Sequence, residues 1–184
     1  MSYIVPVQIR KHLIPFFFKE FEGEQQTYLE KEVTAIKISS RSSLGKLIRM
    51  FTIKAETPAQ TRFYQLYLSV EETPEGKVLE GTAYSFESGT NSFLQLPQDA
   101  TKVINELMED IFRISFIYYV DGYMKDDSSR LSDAIYKFID MYDLLECGFD
   151  FEAMRQLYYR EKKKDCKLSR LQIRTANRVY NNEQ

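Results

Sequence analysis

Apolar residues recur with two different periods along this chain, and the change falls near Pro97. Residues 62–70 alternate, with Tyr64, Leu66, Leu68 and Val70 on one face and Phe63, Gln65, Tyr67 and Ser69 on the other. A period of two is the mark of a strand with one buried side. Residues 3–9 read as a short strand in which Pro6 marks an edge or a strand opening. Residues 27–39 are rich in β-branched side chains and read as another strand. Glu72, Pro74 and Gly76 signal a turn, followed by a returning strand at 78–86, a turn around Gly89 and a short strand at 93–96. Two short helices are expected among these strands. One covers 12–21, with Pro15 in its first turn and Gly23 as its stop. The other carries Leu44, Leu47, Ile48 and Phe51 behind an N-cap at Ser42 or Ser43.

Beyond Pro97 the spacing becomes helical. Val103, Leu107 and Ile111 run beside Ile104, Met108 and Phe112, with Asp99 as N-cap of a helix over 99–125. Its second half, 114–120, is apolar on all sides and must be buried or paired with another chain. A further helix is expected at 129–145, turning Leu131, Ile135, Phe138, Ile139, Tyr142 and Leu145 inward. Gly148 suits a left-handed C-cap, and Asp150 caps a last strong helix running to about position 164. Phe149 and Met154 match a hydrophobic staple across that cap. The fold class expected is α+β: a small, mainly antiparallel sheet with short flanking helices, followed by a C-terminal helical subdomain. The division expected is 1–97, 98–164 and a basic tail at 165–184, compatible with one compact domain.

Charge adds what periodicity does not. The chain of 184 residues carries a net charge of −2. Between positions 155 and 178, however, nine cations face only Glu161 and Asp165, a local charge of +7 that leaves −9 on the remainder. Such separation equips the two ends of a molecule for different partners. Two helices joined around a glycine, the second one basic, have the outline of a helix-turn-helix. On that reading Arg155, Gln156, Tyr159 and Arg160 reach bases or phosphates. Lys162, Lys163, Lys164, Arg170 and Arg174 add phosphate contacts, the last two from a ridge of arginines every four residues along a tail helix. Two details depart from the motif: Leu144 stands where a small residue is usual, and Glu152 places a carboxylate on the reading helix. The alternative for the basic end is a solvated face, or a clamp onto the chain's own acidic surface at Glu106, Glu109 and Asp110.

Few residues suggest other chemistry. His12 is the single histidine and reads as an exposed or capping side chain. Cys147 and Cys166 read as free thiols. Ser39, Ser40, Arg41, Ser42, Ser43, Gly45 and Lys46 lie between a strand and a helix, the layout of a phosphate cradle, but Gly45 stands without the other glycines of a phosphate-binding loop. No cofactor or metal is expected, and no enzyme. With no signal-like leader and no apolar run of spanning length, the expected place is the cytoplasm. The function expected is that of a nucleic-acid-associated accessory or regulatory protein. The alternatives are a protein-interaction or self-association module, motivated by 13 Tyr, 13 Phe and the apolar 114–120 run, and a phosphate or nucleotide binder at 39–46.

Overall fold

The computed structural model describes residues 2–55, 57, 65–71, 93–126, 128–163 and 167–172. The expected turns at 72–77 and 88–91, the strand at 78–86, Cys166 and the tail beyond 172 lie outside the described residues. The fold class is α+β. The chain divides between Asn105 and Glu106 into two compact units, and the boundary falls inside a helix.

The first unit is built on a mixed four-stranded sheet. Its strands are β1 (Ser2–Gln8), β2 (Gly23–Tyr28), β3 (Lys31–Ile38) and β5 (Gln65–Glu71), in the order β1-β5-β3-β2. β1 pairs antiparallel with β5, placing Pro6 opposite Tyr67 on an edge strand, where the proline's missing N–H is tolerated. β2 and β3 form a hairpin in register from Gly23 and Ile36 to Tyr28 and Lys31. Its turn residues Leu29 and Glu30 both have positive φ, 50° and 61°, which matches the twist of the flanking strands. The expected single strand over 27–39 is therefore two strands. Neither turn residue is a glycine or asparagine, so nothing in the composition marks the reversal. Gly23 correspondingly opens β2 instead of capping α1 (Leu13–Glu20), whose C-cap is Phe21.

β3 and β5 run parallel, Ala35 beside Tyr67 and Ile38 beside Val70. Parallel neighbours need a crossover, which includes α2 (Ser43–Phe51) and the short strand β4 (Ile53–Ala55). β4 pairs with β6 (Phe93–Gln95) in a separate two-stranded sheet. The apolar face expected in β5 is present: Leu66, Leu68 and Val70 are buried, with Val5, Val7, Phe16, Phe17, Ile36 and Ile48 in the same core, and Ser69 on the opposite face is buried as well. Each such side chain contributes roughly 1.5–3 kcal/mol of burial. His12, expected exposed or capping, is buried and makes no cap hydrogen bond at the start of α1. Asn105 links the start of α3 (Gln98–Tyr123) to the end of β1. Its Nδ2 donates to the Gln8 carbonyl at 2.7 Å, and the Arg10 N–H donates to its Oδ1 at 3.1 Å.

The second unit contains α3 from Glu106 onward, α4 (Leu131–Met141), a 3₁₀ turn at Leu144–Cys147, α5 (Phe151–Lys162) and a 3₁₀ segment at Lys167–Gln172. Phe138 is the hub of its core. The ring lies 5.0 Å from Phe116, 5.3 Å from Tyr119, 4.7 Å from Tyr142 and 6.0 Å from Phe112. The apolar stretch 114–120 supplies much of this core, with Phe116, Ile117 and Val120 buried and Tyr118 about half exposed. α4 stops at Met141, short of the expected 145. Asp143 takes φ 51°, in the left-handed region, before the 3₁₀ turn. The redirected chain buries Leu144 and leaves Leu145, expected inside, 61% exposed.

Candidate nucleic-acid interface

α5 begins as its sequence requires. Gly148 has φ 84°, a conformation that costs a glycine little. Asp150 is extended, and its Oδ1 accepts from the Ala153 N–H at 2.8 Å, satisfying one of the orphan donors of the first turn. Met154, Leu157, Tyr158 and Glu161 are buried, which orients the rest of the helix. Arg155, Gln156, Tyr159 and Arg160 are all exposed, and so are Lys162 and Lys163 at the helix end. The spacing of 155, 156, 159, 160 and 163 places these residues on one continuous face.

The cations on that face are not equivalent. Arg155 pairs with Glu152 at 3.1 Å, one turn back and half exposed, a pairing worth at most a few tenths of a kcal/mol. Lys162 sits over the Tyr158 ring, 5.4 Å from its centroid. Arg160 and Lys163 project from the C-terminal half, where positive side chains also complement the helix dipole. Tyr159 is 49% exposed and lies edge-on to Tyr158 at 5.7 Å.

Arg170 departs from the expected ridge. It is 7% exposed, with Nε 2.7 Å from Asp110 Oδ1 and Nη1 2.6 Å from Glu161 Oε1. Arg113 completes the group, bonded through Nε to Glu109 one turn back and lying 3.6 Å from Glu161. Three carboxylates and two guanidiniums thus share an interior cluster. The physical reason is desolvation: a charge removed from water needs an opposite charge beside it, and Asp110 and Glu161 are 2% and 8% exposed. The acidic positions Glu109 and Asp110 were legible as a target for the basic end. The inward turn of Glu161 was not, because it depends on which face of α5 is buried. Lys164 and Arg174 lie outside the described residues.

The link between α4 and α5 runs from Tyr142 to Asp150 and contains the 3₁₀ turn. A helix-turn-helix uses about three or four residues there, so the two helices are set by a longer, folded connection. The 39–46 loop closes on itself. Ser42 Oγ donates to the Ser39 carbonyl at 2.8 Å and accepts from the Gly45 N–H at 2.9 Å. A Cβ on Gly45 would fall 2.0 Å from the Ser39 carbonyl oxygen, so the lone glycine is explained by close backbone approach. Among the described residues no three His, Cys, Asp or Glu side chains are grouped to hold a metal ion, and no helix is long and apolar enough to cross a membrane. No family model, curated protein or solved structure matches this chain.

Proposed function

We infer that this chain is a nucleic-acid-associated accessory or regulatory protein that meets phosphate backbone with the exposed face of α5. The observation that supports this reading is the one-sided display of Arg155, Gln156, Tyr159, Arg160 and Lys163, with Lys162 beside them, on a helix whose other side is buried. Arg160, Lys162 and Lys163 carry the phosphate contacts. Gln156 and Tyr159 offer a polar head and an aromatic face between them. Arg170 is not part of this contact, because its guanidinium is engaged internally. Lys164 and Arg174 add to the same positive end through charge alone.

The test is fluorescence-polarisation titration of mixed-sequence duplex and single strands at two salt concentrations. The variant is Arg160→Ala with Lys162→Ala and Lys163→Ala. Loss of affinity regardless of base sequence, with the salt slope reduced by about one per side chain removed, is the expected result. Equal affinity in variant and parent would remove the reading.

A protein-interaction module is the second reading, and a specific observation favours it. Tyr136 is 53% exposed and stacks on Phe151 with centroids 4.8 Å apart and planes at 16°, while Met141 and Leu145 are also exposed. Exposed aromatic and aliphatic side chains of this size are typical of protein contacts. Sedimentation across a concentration range separates the self-associating form of this reading from a monomer.

A further inference from the structure

The 3₁₀ segment Lys167–Gln172 is held in an unusual way. Of its described side chains, Leu168, Leu171 and Gln172 are exposed, the two leucines by half or more, and Arg170 alone is buried. In a 3₁₀ helix residues three apart eclipse, so Leu168 and Leu171 form one outward ridge. A segment docked by the hydrophobic effect would turn that ridge inward. This one turns its charge inward, into a crevice lined by Arg113, Ile114, Ile117 and Glu161. The guanidinium then meets two carboxylates from two helices, Asp110 of α3 and Glu161 of α5, at 2.7 and 2.6 Å.

We propose that Asp110 and Glu161 form an internal guanidinium socket and that Arg170 is the latch in it, holding the C-terminal segment down and withholding its own charge from external polyanions. Glu109 and Arg113 shape the socket: Arg113 bonds Glu109 and lies 3.6 Å from Glu161, while Asp110 and Glu161 both meet Arg170. The planar fork of arginine suits two acceptors on different helices, whereas the point charge of lysine does not. Opening the latch frees Arg170, in a stretch of sequence that also carries Lys167, Arg174 and Arg178. The consequence for polyanions rests on the nucleic-acid reading above; the latch itself does not.

The experiment is limited trypsin digestion of the full chain, followed by intact mass. The protein is compared with Arg170→Lys and Glu161→Gln, both of which keep a cleavable cation at 170. Cleavage after position 170 requires that side chain to leave the socket, so the rate follows the open fraction. Loss of one charge-assisted bond raises that rate about tenfold in each variant. Wild-type rates in both variants would overturn the latch. If Glu161→Gln fails to fold by circular dichroism, Arg170→Lys decides alone.

A second arm measures binding of mixed-sequence duplex DNA. Arg170→Lys, whose net charge is unchanged, is expected to bind several-fold more tightly than the parent, in line with one released phosphate contact. Glu161→Gln is expected to do the same relative to Glu32→Gln, a charge-matched control at an exposed strand position. Faster cleavage without tighter binding, in a protein that does bind DNA, would overturn the withholding half of the proposal. Faster cleavage with no binding by any form would sink the nucleic-acid reading and retain the latch.

Discussion

Tyr158 donates its phenolic hydrogen to Asp121 Oδ1 at 3.1 Å, tying the buried face of α5 to the last turn of α3. The ring itself is buried and meets Phe116 at 6.5 Å, so one residue combines apolar packing with a charged acceptor. Burial, reinforced by the neighbouring Asp121 carboxylate, raises the Tyr158 hydroxyl above its ordinary pKa of 10.0. A group whose folded pKa is raised stabilises the fold below its unfolded pKa and loses that contribution as pH rises through the folded value. The second unit is therefore expected to weaken on alkaline titration from about pH 10 upward. Tyr158→Phe should abolish that component of the slope and cost about 1 kcal/mol at neutral pH. Urea titrations of both proteins at pH 8 and pH 11 measure each quantity.

Phe138 joins α4 to the rest of its core through four aromatic contacts and is 1% exposed. Replacement by Ala removes the hub and leaves a cavity among rigid rings. The expected cost is about 3–5 kcal/mol, seen as a lower urea midpoint. Phe138→Leu should lose less than half as much. A small effect from Phe138→Ala would mean that this core is not the cooperative centre of the unit.

Gly45 faces the Ser39 carbonyl oxygen so closely that any Cβ would overlap it. Gly45→Ala must therefore shift the backbone and break the Ser42 cap. A loss of about 3 kcal/mol follows, beyond the roughly 1 kcal/mol of Ser42→Ala alone. Thermal melts of the two variants, read side by side, test the order. Near-equality would show that the close approach relaxes at little cost.

Gly148 differs in kind, because a Cβ there would meet nothing within 4 Å and only its positive φ opposes substitution. Gly148→Ala should cost about 1 kcal/mol, and Gly148→Asn less, since asparagine tolerates the left-handed region. Asp150→Ala, which removes the hydrogen bond to the Ala153 N–H, belongs to the same scale of about 1 kcal/mol. Chemical denaturation of the three variants gives the ranking directly.

Much of the helical unit was legible in the chain because its signals are local. The left-handed Gly148, the Asp150 cap and the inward set Met154, Leu157 and Tyr158 depend on residues a few positions apart, and the structure contains all of them. The exposed positions of the candidate interface follow from the same 3.6-residue period. The inward face of Leu66, Leu68 and Val70 likewise needs only the two-residue period of a strand.

Partners distant in sequence could not be read this way. The reversal at Leu29 and Glu30 is carried by residues with no turn chemistry, stabilised by the pairing of the strands on either side. The parallel alignment of β3 and β5 depends on a crossover whose direction no local pattern encodes. Arg170 shows the limit most clearly. By sequence it belongs to a basic ridge at four-residue spacing, the mark of a solvated helix face. Its place inside the second unit depends on Asp110, far back along the chain, and on Glu161 being on the buried side of α5. Local propensity and hydrophobic period determined the α+β class and the exposed cations of α5. Whether a given charge faces water or an interior counter-charge was decided by tertiary packing, because desolvation makes that choice a property of the assembled environment.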